Sequence, residues 1–222
     1  MCTVVTRFVP GRPVSVLAVR DEFERRSFDD PDCWWPDQPR VVGGRDQTAG
    51  GSWCVSDIDS GRTAVVLNRP EKFTGSPSRG LLPLVAVAHG RDWIDQLDHT
   101  DMASFTLALI TEQGISAWEW TGQQLIASDL SPGLHVFTPR GIDPISPLAN
   151  RITPLFAATP WREVLSAESR SAAEDALFVE REVNGAAYGT VFAQFIDARP
   201  GSLQVSYSRA PWRSGWTDRE WS

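Results

Sequence analysis

Cys2–Phe23, CTVVTRFVPGRPVSVLAVRDEF, is the stretch whose reading decides the fold. Two runs rich in β-branched and apolar residues, 2–9 and 14–20, flank Pro10-Gly11-Arg12-Pro13, a turn sequence, and so predict an antiparallel hairpin. A turn centred on Gly11-Arg12 sets Cys2 across from Asp21, with Val4 opposite Val19 and Thr6 opposite Leu17. Directly opposed side chains have Cβ atoms about 4.5–5.5 Å apart. In that register the Asp21 carboxylate orients whatever Cys2 presents; a slip of one residue would put the two on opposite faces.

The first strand is apolar on both faces, as are 62–67 and 104–110. Such strands belong inside a layered structure rather than on a half-exposed sheet. A second hairpin reads at 53–58 and 62–68, further strands at 104–111, 114–121, 123–127 and 133–138, and a last hairpin at 188–197 and 202–209. Helices are expected over 79–90, 91–98 and, in two pieces, 161–183, with Pro83 in a first turn; 22–52 and 138–160 read as loops. Antiparallel strand groups with helices in the middle and near the end predict an α+β fold, a four-layer αββα sandwich of two stacked sheets flanked by helices. No repeat or linker stands out, so one domain over 1–222 is expected.

The chain has 222 residues, no apolar run near the roughly 20 needed to span a bilayer, and no signal-peptide pattern at its start. A net charge of −7 argues against nucleic acid as a partner. Cys2, Cys33 and Cys54 are odd in number and lack metal-ligand spacing, and His89, His99 and His135 are dispersed, so no metal is expected and a reducing cytoplasm fits best. Ten Trp include Trp34-Trp35 in a Pro- and Asp-rich loop and Trp118 and Trp120 on one strand face. Packing accounts for most such residues; an aromatic-lined cleft for an apolar ligand is the alternative.

Cys2 follows the initiator Met1. Removal of Met1 would leave a thiol and an α-amine on one residue, and an α-amine has an ordinary pKa of about 7.7–8.0, suited to general-base work near neutrality. Arg20, beside Asp21, favours a nearby thiolate electrostatically.

Met1-Cys2-Thr3, Ala18-Val19-Arg20-Asp21-Glu22-Phe23, Val42-Gly43-Gly44-Arg45-Asp46, Ala49-Gly50-Gly51-Ser52-Trp53, Asn68-Arg69-Pro70, Ser78-Arg79-Gly80-Leu81 and Tyr188-Gly189-Thr190 together resemble the NRDE family, also called transport and Golgi organisation 2. That family is similar in pattern to the cysteine N-terminal-nucleophile hydrolases, the group containing bile salt hydrolase and penicillin V acylase. The resemblance implies the αββα fold, with Cys2 as nucleophile, its α-amine as base, Arg20 and Asp21 orienting and polarising it, and Asn68 donating to the oxyanion. Trp53, Arg69 and Tyr188, within the matching motifs, are then the residues expected at the substrate. Four positions depart from the pattern: Val19 for Asn, Thr106 for Asn after Phe105, Pro139 for a second Asn, and Val191 for Arg.

The function implied is hydrolysis or transfer of an acyl group from a small amide or acyl substrate, without a cofactor. The departures and the tryptophans support an alternative from another class, a carrier of haem or another hydrophobic ligand, with Cys2 or a His as axial ligand. A scaffold for protein contacts is a third reading.

Overall fold

The computed structural model describes residues 2–72, 74–210 and 215–222, so Met1 and Trp212 lie outside the described residues. The first hairpin forms as expected from β1 (Thr3–Phe8) and β2 (Val14–Phe23), but one residue out of the anticipated register. Thr3 pairs with Val19, Val4 with Ala18, Val5 with Leu17 and Arg7 with Ser15. The cause is the turn. Val9 O accepts from Arg12 N at 3.0 Å, with Pro10 and Gly11 at the two central positions and Gly11 at φ 71°. Proline presets the first central residue and glycine supplies the positive φ that the second requires. The turn is thus centred on Pro10-Gly11, and the loop between strands is odd rather than even. Continuing the register sets Cys2 opposite Arg20, not Asp21.

Strands β3 (Phe28–Asp32), β4 (Val41–Asp46), β5 (Cys54–Asp57), β6 (Thr63–Asn68), β7 (Phe105–Ile110), β8 (Ile115–Trp120) and β9 (Leu125–Leu130) form a seven-stranded antiparallel meander in chain order. The other sheet has nine strands. It runs β11 (Gly141–Ile142), β10 (Gly133–Thr138), β1, β2, β14 (Ala186–Arg199), β13 (Phe178–Val183), β12 (Arg170–Ser171). The long β14 pairs with β2 on one side; on the other it pairs first with β13 and then with β15 (Ser202–Arg209), which carries β16 (Thr217–Trp221). Every ladder is antiparallel except the short one between β12 and β13. The molecule is therefore α+β with two antiparallel sheets.

Three apolar clusters lie between and beside the sheets. One gathers Val4, Val16, Ala18 and Phe192 of the nine-stranded sheet with Val42, Cys54, Leu67 and Ala117 of the seven-stranded one. A second packs α1 (Leu82–His89) on Val55, Val66, Leu107, Trp118 and Trp120. The third packs α2 (Pro147–Ala158) and α3 (Trp161–Ala167) on Val5, Leu17, Val19 and Ala193. Alternate residues of β1 and β2 thus enter different clusters, which is why these strands are apolar on both faces.

Other expectations need correction. Residues 168–183 are not helical. Phe178–Val183 pairs with β14, Glu180 and Glu182 pointing to solvent and Val179 inward, a period of two. The loops expected at 22–52 and 138–160 contain β3, β4 and α2, and β16 follows the last predicted hairpin. Helix α2 starts at Ser146, whose hydroxyl accepts from Ala149 N, with Pro147 just inside; it buries Ala149, Ile152 and Phe156 on one face. Pro154 inside it forfeits one helical hydrogen bond and masked the periodicity. The region 79–98 is a 3₁₀ turn at Arg79–Leu81, α1 with Pro83 in its first turn, and a second 3₁₀ segment at Arg91–Gln96. No helix among the described residues is long and apolar enough to cross a membrane.

Candidate functional site

Cys2 sits at the open end of the first hairpin, half-buried and packed against the cluster between the sheets. Burial pushes its thiol pKa up and the Asp21 carboxylate pushes it further; the Asp21 backbone N–H, bonded to the sulfur, and Arg20 pull the other way without reversing the shift. At neutral pH this group is a thiol that needs a base, not a standing thiolate.

Arg20 is 4 % exposed and lies on the same face. Its guanidinium carbon is 4.4 Å from the Trp53 ring and 4.9 Å from that of Phe28, two rings set edge-on to each other that both meet the cation. Nη2 reaches Asp46 Oδ2 at 3.3 Å and Glu22 Oε2 at 3.7 Å. Nη1 is buried with no hydrogen-bond partner among the described residues. Asp46 is itself fixed by Arg26, at 2.6 Å and 3.1 Å, and by the backbone N–H groups of Thr48 and Ala49. Burial opposes the Asp46 charge, but these donors outweigh it and hold its carboxyl below the usual range.

Asp21 points away from Arg20, because neighbours in a strand face opposite sides. Thr190 Oγ1 donates to Asp21 Oδ1 at 2.6 Å and accepts from Val179 N at 2.7 Å. Burial pushes the Asp21 pKa up to about 6, against the Thr190 hydrogen bond and the Arg181 charge. The backbone of Asp21 therefore serves Cys2, while its carboxyl belongs to the other side of the sheet.

Cys2, Arg20, Asp21, Trp53 and Asn68 all line one pocket of about 180 Å³. Asn68 ends β6 and is exposed at the rim. Ser78, Arg79 and Gly80 line it from another side. That segment is clamped to the seven-stranded sheet by Ser52 N donating to Gly80 O at 2.9 Å. A side chain at Gly51 would collide with the Gly80 backbone, so glycine is what lets the segment close over the pocket.

Two expected substrate residues are not in this pocket. Arg69 is engaged by Glu119, by Glu71 at 2.7 Å and by Thr106 at 3.4 Å. Tyr188 donates its hydroxyl to Asp21 O at 3.1 Å and lays its ring edge-on to Phe23, so it braces Asp21 from behind. Of the departing positions, Val19 packs in the cluster under α2 and α3, and Val191 in the cluster between the sheets, at an irregularity in the β2–β14 ladder. Pro139 lines a separate cavity of about 140 Å³ on the carboxyl side of Asp21, with Thr3 and Arg181.

The tryptophans do not gather into one cleft among the described residues. Trp118 and Trp120 are buried under α1, Trp35 and Trp93 pack on the same cluster, Trp161 and Trp216 pack on the cluster under α2 and α3, and Trp53 serves Arg20. A groove of about 800 Å³ on the outer face of the nine-stranded sheet has Trp161 and four arginines but no Cys or His. The Cys2 pocket, at about 180 Å³, is below the range of about 300–1,000 Å³ for sites that enclose drug-sized ligands. His135 spends both ring nitrogens on Asp143 and Ser131 O, at 2.6 Å and 2.7 Å. Among the described residues no group of His, Cys, Asp and Glu forms a metal site.

Reading the sequence missed Arg79, Asp46, Glu22 and Arg26 as pocket residues. All four lie in or beside motifs that were recognised, so the signal was present; their convergence needed the register. A family model for Transport and Golgi organisation 2 matches residues 1–170. The chain belongs to that family. No curated protein matches it. The Transport and Golgi organisation 2 match covers every residue of the Cys2 pocket, whereas Thr190, which holds Asp21, lies beyond it.

Proposed function

We propose that this protein is a cysteine amidohydrolase or acyl transferase of the N-terminal-nucleophile type, acting on a small amide or acyl substrate. The observation that carries this reading is the Cys2 thiol in a compact pocket with a buried Arg20, an Asp21 backbone N–H on its sulfur and Asn68 at the rim. The finer architecture belongs to the same reading. Helix α1 outside one sheet, α2 and α3 outside the other, and an apolar cluster between the sheets are what an αββα sandwich of that type requires.

Chemically, removal of Met1 supplies the base. The freed α-amine takes the thiol proton, Sγ bonds to the substrate carbonyl carbon, and Asn68 donates to the developing oxyanion. Collapse breaks the bond to the leaving group, which takes the proton from the α-ammonium, and leaves a thioester on Cys2. Water, or another acceptor in a transferase, then attacks the thioester and regenerates the thiol. A raised thiol pKa is compatible with this scheme because the base lies on the same residue.

A Cys33→Ser background is needed for the test, because Cys33 is exposed and would react with any thiol reagent, whereas Cys54 is buried with its pKa pushed up to about 12. In that background, an activated acyl ester should give one thioester adduct that is lost on Cys2→Ala and decays with time. Asn68→Ala should slow adduct formation by about 10²-fold or more, the order seen when an oxyanion donor is removed. An adduct that forms equally on Cys2→Ala would overturn the assignment.

A further inference from the structure

The Cys2 pocket carries cationic hydrogen-bonding capacity that its own carboxylates do not use. Arg26 is taken up by Asp46, and Arg20 meets Asp46 and Glu22 through Nη2 alone. Arg20 Nη1 is buried without a partner among the described residues. Arg79, half-buried across the pocket, donates Nη1 to Ser104 O at 2.8 Å and has no carboxylate partner among the described residues. A guanidinium has five N–H donors, and a buried donor left unpaired is costly, so such groups in a native protein ask for an explanation. The clamp of Gly80 onto Ser52 holds the segment bearing Arg79 in place, which preorganises the second cation.

We infer that the substrate carries a carboxylate close to the carbonyl attacked by Cys2, and that Arg79 binds it with the Arg20 charge close by. Two cationic side chains lining one small pocket suit a carboxylate, which accepts charge-assisted N–H bonds. The pocket of about 180 Å³ holds about six water volumes, room for a short acyl group and its carboxylate but not for a long chain. Arg79 is thereby a specificity-determining residue. The inference rests on Cys2 being the group that meets the substrate, but not on hydrolysis following.

Iodoacetate and iodoacetamide test it. They are nearly equal in size and differ in charge. Each alkylates a thiolate by forming an S–C bond as iodide leaves, the thiol proton passing to solvent. Their rate ratio at one cysteine cancels that cysteine's own reactivity, and exposed Cys33 supplies an internal reference in the same sample, read by peptide mass spectrometry. The expected ratio of iodoacetate to iodoacetamide is at least about tenfold higher at Cys2 than at Cys33, as charge-assisted hydrogen bonds warrant. Arg79→Gln should bring it most of the way down toward the Cys33 value, Arg20 retaining the remainder, and Arg79→Lys should keep more of the preference than Arg79→Gln. Equal ratios at Cys2 and Cys33 in the unaltered protein would overturn the inference whatever the variants do. Anion preference without any acyl adduct would leave this inference standing and remove the hydrolase reading.

Discussion

Cys2 and Arg20 share one face of the first hairpin, and Asp21 offers Cys2 its backbone N–H while its carboxylate acts on the thiol only as a charge. The carboxyl of Asp21 is buried beside Thr190, and its pKa, pushed up to about 6 by that burial, has a consequence for stability. An unfolded Asp titrates near 3.9, so between about pH 4 and pH 6 the folded protein binds more proton than the unfolded chain. The contribution of Asp21 is fully present below about pH 4 and is lost as pH rises through about 6. Asp21→Asn should therefore gain on the unaltered protein as pH rises from 4.5 to 7, by about 2 kcal/mol, read from urea midpoints. A pH-independent difference would show that the carboxyl is not buried as described.

At the scale of elements, two glycines separate shape from chemistry. Gly11, at positive φ with open space around its Cβ position, serves only the turn. Gly11→Ala should cost about 1 kcal/mol of stability and leave Cys2 reactivity unchanged. Gly51→Ala, which forces the 78–80 segment off the sheet, should cost about 1–3 kcal/mol and also slow acylation of Cys2. Equal effects of the two on Cys2 would contradict the clamp. The same hairpin shows what a sequence conveys. Its strands and turn were legible from β-branched runs and Pro-Gly, but the register depends on whether the loop is even or odd: opposed residue numbers sum to 22, where an even loop centred on Gly11-Arg12 gives 23. Phe178–Val183 was misread because its glutamates favour a helix in isolation, and only pairing with β14 decides for a strand. Helix α2 was missed although Ser146-Pro147 is a helix-start signal, because Pro154 falls inside it and disfavours a continuous helix.

Over the whole molecule, the pocket lies at the edge of the contact between two sheets. Phe192, fully buried, joins them: its ring meets Phe28 at 5.5 Å, Trp53 at 5.7 Å and Tyr207 at 5.8 Å. Phe192→Ala should destabilise by about 3–5 kcal/mol in denaturant titration and loosen the Trp53 wall that holds Arg20. The two-sheet arrangement was readable because strands apolar on both faces have few other homes. The pocket was readable only in part, since residues from five separate segments meet there and no local pattern shows which side chains converge. The central claim, a nucleophile carrying its own base, is tested most directly by intact mass of the native Cys33→Ser protein before and after an acyl ester. The account predicts a chain lacking Met1 that gains one acyl group at Cys2. A chain that retains Met1 would contradict it.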